Sequence, residues 1–424
     1  MESGIREPDL ISDLPQSILE SILVRLPIRD AVQTSLLSRK WRYRWASITR
    51  LAFDDECVEK TSSDRSLVEG KLVRFITRAL FLHEGPIHTF SLTSTYLQSC
   101  PDLDQWILFL SRRDVKQLVL RLGEEEWLRV PSCLFNFSKL NHLELFRCEL
   151  EFPPGFKGFM FLRSLVLHQV LIQTESIECL ISSCPLLENL ALSYFDSLAL
   201  TIRAPLLKCL HLEGEFKDIF LDNAPLLIEL SVVMYMTEDI AEHFEHSVNC
   251  NFSKFLGHVP CLEKLTGRAY FTKYLSIGND PRALPITYHR LNMIELCEVS
   301  FEDLTEILVV LRLLCSSPNL RELRISGSSS TVAGEVEEPD LGFWTSGCPY
   351  ECSLAQLTIV KLTEMSSIPH EMEFIKFLLR SSPALETLSI TPYSYAKDGR
   401  MDMLIELLKF RRVSPQAQIL FFQD

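Results

Sequence analysis

The sequence predicts an α/β fold, a solenoid of strand–helix repeats preceded by a small three-helix unit. Three observations lead there. A short proline–leucine pattern recurs along the chain at a fixed internal spacing. Most copies continue as two aliphatics separated by one residue, the alternation of a strand with one buried face. The front of the chain differs, packing two proline stops, three short amphipathic segments and two tryptophans between Asp9 and Trp45.

At the front, Asp13 can act as an N-cap, with Pro15 at the third position of a first helix, where a missing N–H costs little. Ile18, Ile22, Leu23 and Leu26 form an apolar stripe, and Pro27 stops the helix. A second short helix is expected over Asp30–Leu37, with Ala31, Val32 and Ser35 on a small apolar face. Ser38 is expected to cap a third segment, "RKWRYRW", in which Trp41 and Trp45 share a face at i, i+4. A unit of about 40 residues cannot enclose a sizeable core, so some of these aliphatics are expected to face a partner. The basic run Arg39–Arg44 reads as a solvated helix face rather than a nucleic-acid patch, because acidic residues dominate the chain downstream.

The repeat follows. "CPLLENLAL", "APLLKCLHL", "APLLIELSV", "VPCLEKLTG", "SPNLRELRI" and "SPALETLSI" each carry a proline with leucine two and five residues on. The prolines are Pro185, Pro205, Pro225, Pro260, Pro318 and Pro383. Five copies run on to a strand pair: Leu190/Leu192, Leu210/Leu212, Leu230/Val232, Leu323/Ile325 and Leu388/Ile390. The "LTG" copy at Leu265 breaks the rule. Further pairs lack the proline: Leu118/Leu120, Leu143/Leu145, Leu165/Leu167, Ile294/Leu296 and Leu357/Ile359. Early pairs lie 20 to 25 residues apart and later ones 29 to 35, matching and then exceeding the leucine-rich-repeat period. Segments such as "SIECLIS" and "EMEFIKFLLR" have helical spacing and are expected to return the chain on the other side. One unit cannot bury its apolar face alone, whereas stacked neighbours can, giving a leucine-rich-repeat solenoid.

The residue between each aliphatic pair should then face the open side of the sheet: Val119, Glu144, Val166, Ala191, His211, Ser231, Glu295, Arg324, Thr358 and Ser389. No catalytic grouping stands among them. Concave faces of solenoids bind other macromolecules, so Glu144, Val166, His211, Glu295 and Arg324 are the candidate target-binding residues.

The front unit resembles an F-box. The likeness rests on the Leu14-Pro15 start, Ile22-Leu23 and Leu26, the small-residue second helix, and "LLSRKWRYRW" with Trp41. Ile18 stands where leucine is commoner, and Leu37-Ser38-Arg39 replaces the frequent Val-Ser-Lys. In that family the motif docks on the Skp adaptor of a cullin-RING ubiquitin ligase. The resemblance therefore implies adaptor contacts at Leu14, Pro15, Ile18, Ile22, Leu23, Leu26 and Trp41. Downstream, "HEGPIHTFSL", "PSCLFNFSKLNHLELFRCEL" and "FKGFMFLRSLVLH" look like plant F-box proteins with leucine-rich repeats. The stretch from Cys352 to Ile390 resembles the FBD segment that closes many of them, through Cys352, Leu357, Glu371, Glu373, Phe374, Leu378 and Leu379. The family implies an F-box over 1–50, a leucine-rich-repeat solenoid over 51–345 and an FBD segment with terminal repeats over 346–424. It implies a non-enzymatic substrate-recognition subunit of an SCF-type ubiquitin ligase, holding an unknown protein target for ubiquitination. A non-degradative interaction scaffold with the same architecture stays open.

Composition sets outer bounds. At 424 residues the chain should form two or three domains, and 47% hydrophobic with 23% charged residues excludes a mainly disordered protein. Residues 1–50 carry eight Lys/Arg against six Asp/Glu, so of the net −14 the remainder holds −16. A mostly acidic body argues against nucleic-acid or anionic-membrane partners. The 13 cysteines follow no regular spacing, and "MESGIREPDL" lacks the apolar core of a signal peptide. No apolar run nears the roughly 18 residues of a membrane span. A soluble intracellular protein of the nucleus and/or cytoplasm is expected, its thiols reduced. No phosphate loop, dinucleotide fingerprint, zincin helix or nucleophile elbow occurs. Cys179/Cys184 and Cys348/Cys352 are too isolated for a zinc site, so neither metal nor cofactor is expected. Gly327–Asp340 reads as a mobile surface loop.

Overall fold

Each proline of the repeat sets a tight turn. The N–H groups of Leu187, Leu207, Leu227, Leu262, Leu320 and Leu385 donate to the carbonyls of Cys184, Ala204, Ala224, Val259, Ser317 and Ser382, three residues back. Proline therefore occupies the second turn position, where its fixed φ is already correct. The leucine that closes each turn is buried, and the strand begins directly after it. Phe159–Leu162, Tyr288–Leu291 and Leu354–Leu357 close the same turn without proline.

These turns organise a computed structural model that describes residues 11, 14–59, 64–97, 100–123, 127–237, 251–278, 287–328, 341–345, 353–393 and 400–422. The chain forms two compact units, Met1–Leu187 and Glu188–Asp424. Among the described residues, no helix is long and apolar enough to cross a membrane.

The first unit starts with helices α1 (Gln16–Leu23) and α2 (Ile28–Gln33), then single 3-10 turns at Thr34–Leu36 and Arg44–Ser47. Strands β1 (Arg50–Phe53), β2 (Thr89–Thr93), β3 (Gln117–Arg121), β5 (His142–Glu149) and β6 (Ser164–Leu171) follow in parallel order, with β4 (Leu128–Arg129) beside β5. Helices α3 (Arg65–Leu82), α4 (Leu103–Ser111) and α5 (Thr174–Ser182) complete it. Leu51, Phe90, Leu118, Leu143 and Leu165 align across the strands, as do Phe53, Leu92, Leu120, Leu145 and Leu167. All ten are buried. The repeat thus begins at Leu51/Phe53, earlier than the leucine pattern predicts, because Phe53 and Phe90 fill two ladder positions.

The front helices correct the sequence expectations in detail. Pro15 is the residue before α1 rather than its third residue, and the candidate cap Asp13 lies outside the described residues. α1 ends at Leu23, before Pro27, and α2 starts at Ile28 rather than Asp30. The segment after Ser38 is turns and one 3-10 turn, not a helix; Trp41 and Trp45 are nevertheless both buried.

In the second unit, β7 (Asn189–Arg203), β8 (Cys209–Asn223), β9 (Glu229–Tyr235), β10 (Lys264–Ala269), β11 (Met293–Val299), β12 (Glu322–Gly327), β13 (Ile359–Met365), β14 (Thr387–Pro392) and β15 (Gln418–Phe421) pair in sequence order, all parallel. Helices Leu304–Cys315 and Pro369–Ser381 return the chain between strands. Between β7 and β9 the strand–helix expectation fails. A period of 20 residues leaves no length for a helix, and β7 and β8 instead run on for 15 residues each. A second correction falls on Leu357/Ile359. Leu323 pairs with Val360 and Ile325 with Leu362, so Val360/Leu362 is the true pair, Leu357 closes the turn, and Lys361 replaces Thr358 on the open face. Within the segment read as a loop, Gly327 is a buried strand residue, and 329–340 lie outside the described residues.

Alternation stops abruptly after six of the pairs, while in β8, β9, β12 and β14 it runs on. Arg147, Gln169, Tyr194, Ala269, Glu298 and Glu364 sit two residues past the second ladder position with φ between 49° and 62°. Left-handed backbone at a non-glycine residue costs about 1–2 kcal/mol. In five of the six it turns the following side chain back inward, burying Cys148, Val170, Phe195, Val299 and Met365, whereas Tyr270 after Ala269 stays exposed. Two of these bulges are tied down by a buried glutamate from the next helix. Glu306 Oε2 accepts from Ser300 N–H at 3.2 Å and Thr272 Oγ1 at 2.7 Å. Glu371 Oε2 accepts from Ser366 N–H at 2.9 Å and Ile368 N–H at 3.3 Å.

The broken "LTG" copy has a local cause. Gly267 takes the place of the second aliphatic in β10, and a Cβ there would lie 2.1 Å from Cδ1 of Phe271. The phenylalanine ring occupies the volume that leucine fills elsewhere. Gly267→Ala should therefore destabilise the protein by about 1–3 kcal/mol through overpacking, and Phe271→Leu should relieve much of that penalty. A double-mutant cycle by urea denaturation measures the coupling.

Burial also sets a pH dependence. It pushes the Glu371 carboxyl up to about 7 from 4.5, outweighing the backbone donors of Ser366, Ser367 and Ile368. Between those values the unfolded chain ionises while the folded one keeps its proton. Stability should fall as pH rises through that window, by up to about 3 kcal/mol, and level off above it. Glu371→Gln keeps a carbonyl for the donors and should flatten this slope in denaturation curves taken from about pH 4 to 8.

Candidate interaction surfaces

α1 is apolar on two faces, and the two have different fates. Leu19 and Leu23 are buried, whereas Ile18 and Ile22 on the adjoining i, i+4 row, and Leu26 in the turn after the helix, are exposed. Leu14 is half-buried and Pro15 exposed. Leu23 and Trp41, counted among the expected contact residues, lie inside the unit and hold its segments together, so they offer a partner no surface in this arrangement. Leu36 and Leu37 were not in the expected set, yet are 86% and 70% exposed.

The front segments are not a detached module. The N–H groups of Glu84 and Gly85 donate to the Ala46 carbonyl, and His83 Nε2 donates to the Ile48 carbonyl at 2.8 Å. Burial lowers the His83 pKa, keeping the ring neutral in this latch. Gly85 is required by contact, because a Cβ there would meet Ser47 Cα at 2.9 Å. Arg29 pairs with Glu59 at 2.6 Å.

The open sheet faces carry the other candidate residues, in two separate groups. In the first unit, Glu144 and Val166 are register neighbours on β5 and β6, both half-buried. The His142 ring and the Arg121 guanidinium hold the Glu144 carboxylate below its usual range. In the second unit, Glu295 lies 3.1 Å from Arg268 and 3.6 Å from Arg324. Arg324 also pairs with Glu322 at 2.8 Å, which Lys361 approaches at 3.3 Å. The result is an ion-pair ladder from β10 to β13. His211 lies apart on β8, its Nδ1 3.1 Å from Ser231 Oγ and its Nε2 3.8 Å from Glu213, which also accepts from Tyr235 at 2.9 Å. These charges are already partnered within the sheet, and a bound target must compete with those pairs. Exposed pairs contribute only about 0–1 kcal/mol each, so exchange is cheap.

Burial pushes the thiols of Cys57 and Cys148 up to about 12, and those of Cys100 and Cys184 up to about 11. Cys179 is exposed while Cys184 is buried, and Cys348 and Cys352 lie outside the described residues. Among the described residues, no group of three or more His, Cys, Asp or Glu side chains is placed to hold a metal ion.

The two faces of α1 should separate by substitution. Leu23→Ala should cost about 2–5 kcal/mol through the cavity it leaves, whereas Ile22→Ala should change stability by less than about 0.5 kcal/mol. Chemical denaturation of both variants provides the measurement.

Three family models match the chain. The F-box domain matches residues 11–51, the LRR repeats of FBD-associated F-box protein At5g56370 match residues 103–325, and the FBD matches residues 346–390. The F-box/FBD/LRR-repeat protein At1g13570 of Arabidopsis thaliana is 56% identical over 98% of this chain and 99% of its own length. The probable FBD-associated F-box protein At1g32375 of the same plant is 27% identical, covering 97% of this chain and all of its own. The F-box/FBD/LRR-repeat protein At5g56420 is 28% identical over 97% of this chain and 99% of its own.

Proposed function

Because the chain belongs to the F-box/FBD/LRR-repeat protein family, we propose that it is the substrate-receptor subunit of an SCF-type (Skp–cullin–F-box) ubiquitin ligase. The F-box, residues 1–50, docks on a Skp-type adaptor and through it on the cullin-RING ligase. The leucine-rich repeats, 51–345, and the FBD segment, 346–424, hold a protein target. The observation that carries this reading is the unburied apolar row Ile18 and Ile22, with Leu26, Leu36 and Leu37 also left in solvent. Covering a large aliphatic side chain is worth about 1.5–3 kcal/mol, and a folded unit leaves such a cluster uncovered where a partner will cover it. The chain does no bond chemistry in this role. It raises the local concentration of target lysines beside the charged ubiquitin carrier.

A second reading, a non-degradative interaction scaffold, draws on the packing of the front segments against β1 and the end of α3. A terminal repeat needs a cap, and residues 14–48 supply one in either case. Removing the first 50 residues would strip that cap, so point substitution is the cleaner test. Affinity purification of the full chain under proteasome inhibition should recover adaptor, cullin and ubiquitylated targets. With Ile18→Asp and Ile22→Asp together, adaptor and cullin should vanish while the targets remain. Recovery of targets by the parent chain without any adaptor would favour the scaffold.

A further inference from the structure

Helix α3 follows the F-box and lies outside the matched F-box residues. A cavity of about 380 Å³ opens between the two, lined by Val32, Leu36 and Trp45 on one side and Phe75, Ala79 and Leu82 on the other. Its lining is mainly apolar, but Arg42 and Arg78 contribute one exposed cation from each side. Ser35 also lines it, with a buried hydroxyl that has no hydrogen-bond partner. Phe81, in the same last turn of α3, is 85% exposed.

Charge narrows the choice of occupant. Arg39, Lys40, Arg42 and Arg44 fall within six residues, and α3 adds Arg65, Lys71, Arg74 and Arg78 against the single acid Glu69. Of these, Arg42 and Arg78 stand at the pocket itself, on a chain of net charge −14. An apolar floor flanked by a cation on each side fits an acidic protein segment that presents a bulky apolar side chain, with complementarity steering the encounter. A polynucleotide would use the cations but not the apolar floor.

Resting on the reading of residues 1–50 as an adaptor-docking F-box, we propose that the docking surface extends onto α3. There the shared pocket takes a bulky apolar side chain from an acidic segment of the adaptor. α3 is therefore part of the adaptor site, and the first repeat helix serves both the sheet and the partner.

The test uses the full-length chain and a recombinant plant Skp-type adaptor in calorimetric titrations. Arg42→Glu with Arg78→Glu should weaken binding at least about tenfold and reduce its salt dependence. Both side chains are exposed, so the thermal midpoint should not move. Ala79→Met fills the pocket without changing charge and should weaken binding comparably. Ile18→Asp with Ile22→Asp reports on the underlying reading. If that variant loses the adaptor while the arginine variant binds like the parent, the pocket is not part of the site and the proposal falls alone. If the parent chain does not bind the adaptor, reading and proposal fall together. Self-association of the adaptor-free chain, abolished by the arginine variant, would assign the pocket to a second copy and overturn the proposal.

Discussion

The structure depends on one hydrogen-bonded relay at the entry to its strands. In the second unit, Lys208 N–H donates to Glu188 O, Ile228 to Lys208, Glu263 to Ile228, Asn292 to Glu263, Arg321 to Asn292, Thr358 to Arg321, Glu386 to Thr358 and Gln418 to Glu386. Each carbonyl lies just ahead of its strand and accepts from the equivalent residue of the next repeat, except at the last, where the donor Gln418 is the first residue of β15. Because a one-residue slip would turn every leucine outward, this relay fixes which side chains are core. The tight turn before it presents the donor at the right height, and the left-handed residue after the ladder ends the alternation.

Between those two fixed points the repeats differ widely. β7 to β9 return without a helix, Gly267 gives up its side chain to Phe271, and Lys361 stands where a shifted reading places Thr358. Such variation is tolerated because a parallel ladder needs only matched backbone at its entry and an apolar side chain of about the right volume behind it. Glu306 and Glu371 repeat the pattern at a polar level. Each is buried in a helix that follows a bulge, and each satisfies the first backbone donor past that bulge.

Much of this was legible in the residues. The aliphatic pairs follow from spacing alone, since strand period is local, whereas the fixed proline–leucine offset was visible without revealing that the leucine closes a turn. Leu357/Ile359 misled because Leu-Thr-Ile imitates a strand pair by chance, and only pairing with β12 reveals the register. The left-handed residues are invisible for another reason: arginine, glutamine, tyrosine and glutamate carry no signal for a conformation that glycine normally marks. In the F-box the apolar residues of α1 were identifiable, but their division into inner and outer faces was not. Ile22 and Leu23 differ by one step around the helix, and which one is covered depends on Trp41, Trp45 and segments that meet it through tertiary packing. The pocket beside α3 joins residues from segments far apart in the chain and has no sequence signature.

The latch formed by Ala46, Ile48, His83 and Gly85 has a mechanical meaning. It ties the end of the front unit, just ahead of the first strand, to the turn after α3 through backbone donors, a buried imidazole and a contact too close for any side chain. No pliant linker intervenes at this joint. Whatever grips the front of the molecule therefore inherits a fixed bearing on the first strands, and torque applied to the front helices is transmitted to those strands. Stiffness at this joint replaces the averaging that a tether would give.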